Sequence, residues 1–197
     1  MSFLLGLTGS IGMGKSTTAE MFANHGCAVW DADAAVHRLY AKDGAGVAPI
    51  AAVFPDAIVD GAVSRMRLKE IIDRDPDALS IIESIVHPLV AQDRAAFIKA
   101  SNNAIVVLDI PLLFENEFEE KVDAVACVTV SAEVQKQRVL ARGTMTEEQF
   151  AGILSRQMPN KDKAARADFV IETDTLEHAR VQVHDVIEQI KSRLSNA

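Results

Sequence analysis

The stretch Gly9-Ser10-Ile11-Gly12-Met13-Gly14-Lys15-Ser16 fits the pattern G-x-x-x-x-G-K-[ST] and directly follows the apolar run Phe3-Leu4-Leu5-Gly6-Leu7. Its glycines bend the chain where a side chain would block a phosphate, so several backbone N–H groups can point inward. The pattern predicts that Lys15 reaches the β- and γ-phosphates of a nucleotide, that the Ser16 hydroxyl ligates Mg²⁺, and that a helix begins at Lys15. A glycine-rich turn without function is the alternative, but the apolar strand before the motif and the helical spacing after it favour a phosphate-binding loop.

Length and composition limit the possible protein classes. The chain has 197 residues, which suits one α/β domain with modest insertions, and 49% of them are hydrophobic. No segment approaches the ~18 uninterrupted apolar residues of a membrane span. The net charge of −8 argues against binding nucleic acid through a broad basic surface. Because the N-terminus lacks a basic region and leads straight into the loop, we expect no signal peptide and a cytoplasmic protein.

Two cysteines, Cys27 and Cys127, both fall in apolar segments typical of strands. The sequence has neither a C-x-x-C pair nor a Cys/His cluster, so we expect buried free thiols without a metal or redox role.

Strand-like and helical segments alternate along the chain, which predicts an α/β fold with a parallel sheet. After the first strand, the pattern indicates four more strands at residues 27–30, 104–109, 122–130 and 167–171. The segment 104–109 is typical of a fully buried parallel strand because it is apolar and partly β-branched. The chain ends in an amphipathic segment, Leu176 to Leu194, which predicts a helix with one buried face.

Carboxylates follow two of these strands. Asp31 and Asp33 come after the second strand and Asp109 ends the third. Ligands of open parallel sheets bind outside the carboxyl ends of the strands, so we expect Asp31 and Asp33 to face the same crevice as the loop. One of them is a natural acceptor for the proton of an attacking hydroxyl, while the other can cap the following helix. Asp109 is expected in the magnesium shell beside Ser16.

Residues 41–60 are predicted to be irregular, whereas helical spacing from Ser64 to about Ser101 predicts a helical insertion at about residues 60–101. It lies between the second and third strands, where nucleotide kinases usually bind the acceptor of the phosphoryl group. Arg65 and Arg67 could meet a substrate phosphate or remain solvated charges. His87 precedes Pro88, which predicts a joint outside helical geometry. A structural hydrogen bond and a ligand contact both remain open for this histidine.

Residues of about 133–164 are predicted to form a helical lid. Arg138 and Arg142 are four positions apart and share one helix face, so they could close on a transferring phosphoryl group, with an exposed charged helix as the alternative. The stretch Asn160-Lys161-Asp162-Lys163 fails the guanine-reading pattern N-K-x-D because its aspartate is one position early. The stretch Glu115 to Lys121 is predicted to be a charged surface without chemistry.

Taken together, these residues resemble the dephospho-coenzyme A kinase family over nearly the whole length of the chain. The loop alone fits hundreds of families, whereas Asp31-Ala32-Asp33 together with Asp109-Ile110-Pro111-Leu112-Leu113-Phe114-Glu115 is specific. Other matching positions are Arg38, Arg65, His87, Gln135, Arg138, Arg142, Gln157, Lys163 and the segment 167–171. The sequence departs from the family pattern at Pro55, at Ser10 and Met13 in the loop, and at Glu172-Thr173-Asp174.

The resemblance implies a P-loop kinase fold in a single domain of residues 1–197, with a helical acceptor-binding insertion and a helical lid. Its five-stranded parallel sheet, in the order 2-3-1-4-5, would be flanked by helices. It also implies MgATP-dependent phosphorylation of the ribose 3′-hydroxyl of dephospho-coenzyme A, the last step of coenzyme A synthesis. The implied partners are ATP and dephospho-coenzyme A, without nucleic acid or membrane, and the implied assembly is a monomer or weak homo-oligomer.

Site residues follow from the same resemblance. The implied catalytic residues are Asp33, Lys15 and Arg142. ATP would be bound by Gly9, Gly12, Met13, Gly14, Lys15, Ser16, Thr17 and Arg138. The acceptor would be bound by Asp31, Asp33, Arg38, Arg65 and His87, and the magnesium ion by Ser16 and Asp109.

Two other functions are compatible with a phosphate-binding loop. A nucleoside or nucleoside monophosphate kinase would share the loop, inserted helices and arginine lid. A nucleotide switch is the alternative from a different class, but the failed N-K-x-D pattern counts against a GTP switch. The paired aspartates and the large insertion favour an enzyme.

Overall fold

The computed structural model describes residues 2–196. In chain order the elements are β1 (Phe3–Thr8), α1 (Lys15–Asn24), β2 (Ala28–Asp31), α2 (Ala32–Tyr40), α3 (Val47–Val53), β3 (Ile58–Val59), β4 (Ala62–Val63), α4 (Arg65–Arg74), α5 (Ala78–Ala100), β5 (Ile105–Asp109), β6 (Ala124–Thr129), α6 (Ala132–Ala141), α7 (Glu147–Leu154), α8 (Asn160–Arg166), β7 (Phe169–Glu172) and α9 (Leu176–Ser195). The described residues form two compact units: one runs up to Trp30 and resumes at Ser101, and the other is Asp31–Ala100.

A five-stranded parallel sheet in the order β2-β5-β1-β6-β7 forms the centre of the first unit. This confirms the α/β class, and the order is the one that the family resemblance implies. The register pairs Leu7 with Asp109, and Thr129 with Glu172. The carboxyl ends of β1, β5, β6 and β7 therefore lie along one edge of the sheet, where the chain leaves each strand.

Helices α1 and α9 pack on one face of this sheet. Phe22 of α1 and Val183 and Ile187 of α9 are buried against strand residues such as Leu5 and Ala126. The predicted buried face of α9 is confirmed for Ala179, Val183, Val186, Ile187 and Ile190, whereas Leu194 at the end of the helix, predicted on the same face, is 39% exposed. Burial of these side chains is the main stabilising contribution to the unit.

A buried ion pair joins α8 to the loop after β5. Lys163 is 0% exposed; its Nζ donates to the carbonyl oxygen of Pro111 and lies 2.9 Å from Glu115 Oε1. Glu115 also accepts a hydrogen bond from the backbone N–H of Met158. The prediction that the stretch beginning at Glu115 is only a charged surface is therefore wrong for Glu115, because a carboxylate that neutralises a buried ammonium group is a structural necessity.

The second unit contains α2 to α5 and a small antiparallel hairpin of β3 and β4. Its core is formed by apolar residues of every helix, among them Leu39, Ile50, Leu68 and Ile82. Asp60 and Gly61 both have positive φ, 51° and 80°, as a two-residue hairpin turn of type I′ requires.

Two expectations about this unit are corrected. Residues 41–60 are not wholly irregular, because Val47–Val53 is helical and Pro49 sits in its first turn, where no intrahelical N–H partner is lost. The predicted joint at His87 is also wrong, because α5 continues through Pro88 over 23 residues. Burial of Ile82 and Val86 on the same helix holds the segment in helical form against the preference of the residue before proline.

Cys27 and Cys127 are buried free thiols, as predicted. Burial disfavours the thiolate and raises the pKa of each thiol to about 11. Neither thiol is therefore a nucleophile at neutral pH.

We predict that Lys163→Met lowers the free energy of unfolding by about 3 kcal/mol, because the Glu115 carboxylate loses the cation with which it pairs. Urea unfolding of the purified variant measures this loss. Lys161→Met is the matched control, since Lys161 is exposed on the same helix and its loss should change stability by less than about 0.5 kcal/mol. Equal losses in the two variants would contradict a structural role for the buried pair.

Candidate functional site

The phosphate-binding loop connects the end of β1 to α1, which begins at Lys15 as predicted. Gly14 is the N-cap of α1 in left-handed geometry (φ 89°), and no side chain caps the helix. The N–H groups of the first turn are therefore available to an anion. A Cβ atom on Gly14 would lie 2.9 Å from Thr173 Oγ1, and one on Gly12 would lie 2.6 Å from Val139 Cγ2. Both positions therefore require glycine on steric grounds as well.

Three side chains from distant parts of the sequence hold the backbone of the loop. Asn160 at the start of α8 accepts a hydrogen bond from the Ser10 N–H, at 2.9 Å. Gln135 of α6 donates to the carbonyl oxygen of Ile11 at 2.7 Å. Thr173 after β7 donates to the carbonyl oxygen of Met13 at 2.8 Å. The loop is thus fixed in position by hydrogen bonds before any phosphate binds.

Lys15 and Asp109 form an ion pair at the carboxyl ends of two neighbouring strands. Asp109 is only 2% exposed, and the ammonium group beside it offsets the free-energy cost of burying its carboxylate. The side chain of Lys15 keeps 15% of its surface exposed. The pair therefore presents a partly accessible cation next to the loop.

A cavity of about 390 Å³ lies beside the loop. Its wall comes from the loop and α1, from α6, and from the segment joining β7 to α9, and includes Gly12, Gly14, Thr17, Thr18, Met21, Arg138, Ala141, Arg142, Thr173, Thr175, Leu176 and Ala179. The volume suits a small organic ligand, and the mixture of apolar side chains, hydroxyls and guanidinium groups suits a nucleotide.

Arg138 and Arg142 both line this cavity, as their spacing on one helix face predicts. Arg138 donates to Thr173 Oγ1 at 3.0 Å and to the Thr173 carbonyl oxygen at 2.5 Å. Arg142 follows the last residue of α6 and is exposed. One arginine is therefore fixed in place, and the other is accessible from solvent.

Asp31 and Asp33 have different environments within the second unit. Asp31 is the N-cap of α2, and its carboxylate accepts hydrogen bonds from the N–H groups of Asp33 and Ala34 at 2.7 and 3.0 Å. Capping is one of the two roles that the sequence left open for this pair. Asp33 lies in the first turn of α2, is exposed, and has no side-chain hydrogen bond or ion pair among residues 2–196.

The remaining predicted acceptor residues also belong to this unit. Arg38 forms an ion pair with Asp93, with 2.6 Å between Nη2 and Oδ1. Arg65 begins α4 and lies over the ring of Tyr40 at 5.9 Å. His87 is exposed on α5.

Sequence reasoning missed the roles of Asn160 and Thr173 in holding the loop. Asn160 was considered only as part of a failed guanine-reading pattern, and Thr173 only as a departure from the family pattern. No local pattern indicates that the Asn160 side chain forms a hydrogen bond to a loop 150 positions away.

Two features are absent from residues 2–196. No helix there is long and apolar enough to span a membrane. That part of the chain also contains no group of three or more His, Cys, Asp or Glu side chains placed to bind a metal ion.

Comparison with known proteins gives consistent results. The family model for dephospho-CoA kinase matches residues 3–178. A dephospho-CoA kinase of Ruegeria pomeroyi is 65% identical over 192 residues, covering 98% of each chain, and one of Cereibacter sphaeroides is 57% identical over 189 residues, covering 96% of each.

Two solved structures share the fold. A crystal structure from Thermus thermophilus has a TM-score of 0.86 at 29% identity and covers 95% of this chain and 97% of its own. A dephospho-CoA kinase of Campylobacter jejuni has a TM-score of 0.70 at 24% identity, covering 96% of this chain and 98% of its own, which supports the fold alone. Because the family model and a relative of 65% identity match this chain over most of its length, the chain belongs to the dephospho-CoA kinase family.

Proposed function

We propose that the chain transfers the γ-phosphoryl group of ATP to the ribose 3′-hydroxyl of dephospho-CoA. The observation that carries the proposal is the phosphate-binding loop, which opens onto the arginine-lined cavity in a chain of this family. Phosphoryl transfer passes through a loose transition state, so catalysis depends mainly on positioning the substrates and neutralising charge. The proposed roles of the individual residues follow from that requirement.

We propose that the phosphates of ATP bind at the loop. The free N–H groups at the start of α1 and the Lys15 ammonium group face the phosphate oxygens. Met13, Ser16 and Thr17 contribute to the same cradle, and Arg138 supports the nucleotide from α6. Arg142 stabilises the charge of the transferring group, since an exposed guanidinium on a closing lid can approach it without breaking an existing ion pair.

A magnesium ion fits the donor set at this site. The Ser16 hydroxyl and the Asp109 carboxylate are hard oxygen ligands of the type that Mg²⁺ prefers, and phosphate oxygens complete such a shell. When bound, the ion supplies charge neutralisation at the β- and γ-phosphates. Lys15, which already pairs with Asp109, holds the carboxylate in position at the end of β5.

Asp33 is the proposed general base. Its carboxylate is exposed and is not used for capping, whereas that of Asp31 holds the first turn of α2. Asp33 can therefore accept the proton of the 3′-hydroxyl while Asp31 fixes the backbone that carries it. Asp31, Arg38, Arg65 and His87 are proposed to contact the acceptor.

We propose that residues 1–197 form a single kinase domain, in which residues of about 60–101 are an acceptor-binding insertion and residues of about 133–164 are a lid. We also infer a cytoplasmic enzyme that acts as a monomer or weak homo-oligomer. Size-exclusion chromatography with light scattering measures the assembly state.

We predict that the purified protein releases ADP from MgATP when dephospho-CoA is present, and that the product is heavier by one phosphate. AMP, CMP, adenosine and a sample without acceptor are the controls, and mass spectrometry identifies the product. Release with a different acceptor would contradict the proposed substrate. Binding of ATP without release for any acceptor would favour a nucleotide switch.

Asp33→Asn is expected to preserve ATP binding and to lower kcat by about 10²-fold or more, because an amide cannot accept the proton. Asp31→Asn is the matched control: asparagine is an equally good N-cap, so kcat should change little while KM for the acceptor can rise. Steady-state kinetics for both variants gives the comparison. Similar kcat values for Asp33→Asn and the parent would exclude Asp33 as the base.

Lys15→Met should lower kcat/KM for ATP by about 10²-fold or more, because the β- and γ-phosphates lose the ammonium group of the loop. The variant also leaves Asp109 buried without Lys15, so thermal unfolding must show that it is folded at the assay temperature. A folded variant with an undiminished rate would contradict the phosphate-binding role of the loop.

A further inference from the structure

Thr173 lies where three elements of the first unit meet. It follows β7, its backbone N–H donates to the Thr129 carbonyl oxygen at the end of β6, and its side chain lies against Gly14 of the loop. The residue is 7% exposed. The backbone hydrogen bond, the contact with Gly14 and the burial together fix the position of Thr173. The fold therefore determines which groups its hydroxyl contacts.

The direction of each hydrogen bond at this hydroxyl follows from its single proton. Thr173 Oγ1 lies 2.8 Å from the Met13 carbonyl oxygen and 3.3 Å from that of Thr129, and both are acceptors. The proton therefore goes to Met13, the closer of the two. The lone pairs then face Arg138 Nη1, which can only donate, at 3.0 Å.

Arg138 is held by a second contact from the same residue. Its Nη2 donates to the Thr173 carbonyl oxygen at 2.5 Å, so one residue binds both ends of the guanidinium fork. An arginine that is already fixed loses less conformational freedom when a ligand arrives than one that is free. The contact thus prepares Arg138 for a ligand in the cavity that both residues line.

We propose that Thr173 is a positioning residue for ATP: its hydroxyl, oriented by the Met13 carbonyl of the phosphate-binding loop, holds the Arg138 guanidinium in the arrangement that ATP meets. This inference rests on the proposed role of Arg138 in ATP binding. Thr173 acts through Arg138, so its effect must depend on the presence of that arginine.

The first comparison uses Thr173→Val and Thr173→Ser. Valine keeps the shape and the backbone carbonyl but removes the hydroxyl, and serine keeps the hydroxyl. We expect Thr173→Val to raise KM for ATP about tenfold, with kcat and KM for dephospho-CoA within about threefold of the parent. Thr173→Ser should remain within about twofold for all three constants. Thermal unfolding of both variants shows whether either is unfolded at the assay temperature.

The decisive comparison repeats Thr173→Val in an Arg138→Met background. If the hydroxyl acts through the guanidinium, Arg138→Met alone raises KM for ATP and the added Thr173→Val changes it by less than about twofold. An equal effect of Thr173→Val in both backgrounds would overturn the proposal, because the hydroxyl would then affect ATP binding through its hydrogen bond to the loop or through ATP itself, and not through Arg138. An unchanged KM in Thr173→Val would also overturn it.

The same set of variants distinguishes the positioning role of Thr173 from the ATP-binding role of Arg138 on which it rests. If Arg138→Met leaves KM for ATP unchanged, the ATP-binding role of Arg138 is wrong, and the positioning role of Thr173 is overturned with it. If Arg138→Met raises KM but Thr173→Val does not, Arg138 keeps its role and only the positioning role of Thr173 is overturned.

Discussion

The ion pair of Lys15 and Asp109 is the interaction on which the site depends. Two neighbouring parallel strands, β1 and β5, end at the same level of the sheet, and this register brings the loop lysine to a carboxylate that is almost fully buried. An unpaired carboxylate at that depth would be strongly unfavourable, so the sheet order and the placement of the loop stabilise each other. The same pair leaves a cation at the edge of the sheet for a phosphate.

The rest of the first unit holds the loop against this pair. Asn160, Gln135 and Thr173 come from three different elements, and each binds one backbone group of the loop. Backbone groups that would otherwise depend on water or ligand are thus satisfied inside the protein. A loop fixed in this way needs little rearrangement when a ligand arrives, which is the physical content of preorganisation in phosphoryl transfer.

The sequence predicts the features that depend on local pattern. The loop, the start of α1, the buried strand β5 and the amphipathic helix α9 all carry short-range signals that the structure confirms. The family resemblance adds the strand order, which no local pattern contains. Lys15, Ser16 and Asp109 can be predicted as site residues from the sequence, because each belongs to a motif or ends a strand.

Features that depend on tertiary contacts could not be found in the same way. Nothing near Lys163 indicates that it is buried beside Glu115, because the pair is joined only by the folded chain. His87 was predicted to leave helical geometry from the proline after it, but the buried face of α5 outweighs that local preference. The helix of Val47–Val53 was missed because it is short and contains a proline, which is harmless in its first turn.

The close approach of Gly14 and Thr173 ties two distant positions of the sequence together. A methyl group on residue 14 would meet the side chain of residue 173 at both its oxygen and its carbons, at 2.9 to 3.2 Å. Residue 14 is thus restricted to glycine both by this neighbour and by its positive φ. The side chain at the end of the last strand fills the space that the missing side chain of the loop leaves free, so the loop glycine limits how bulky residue 173 can be.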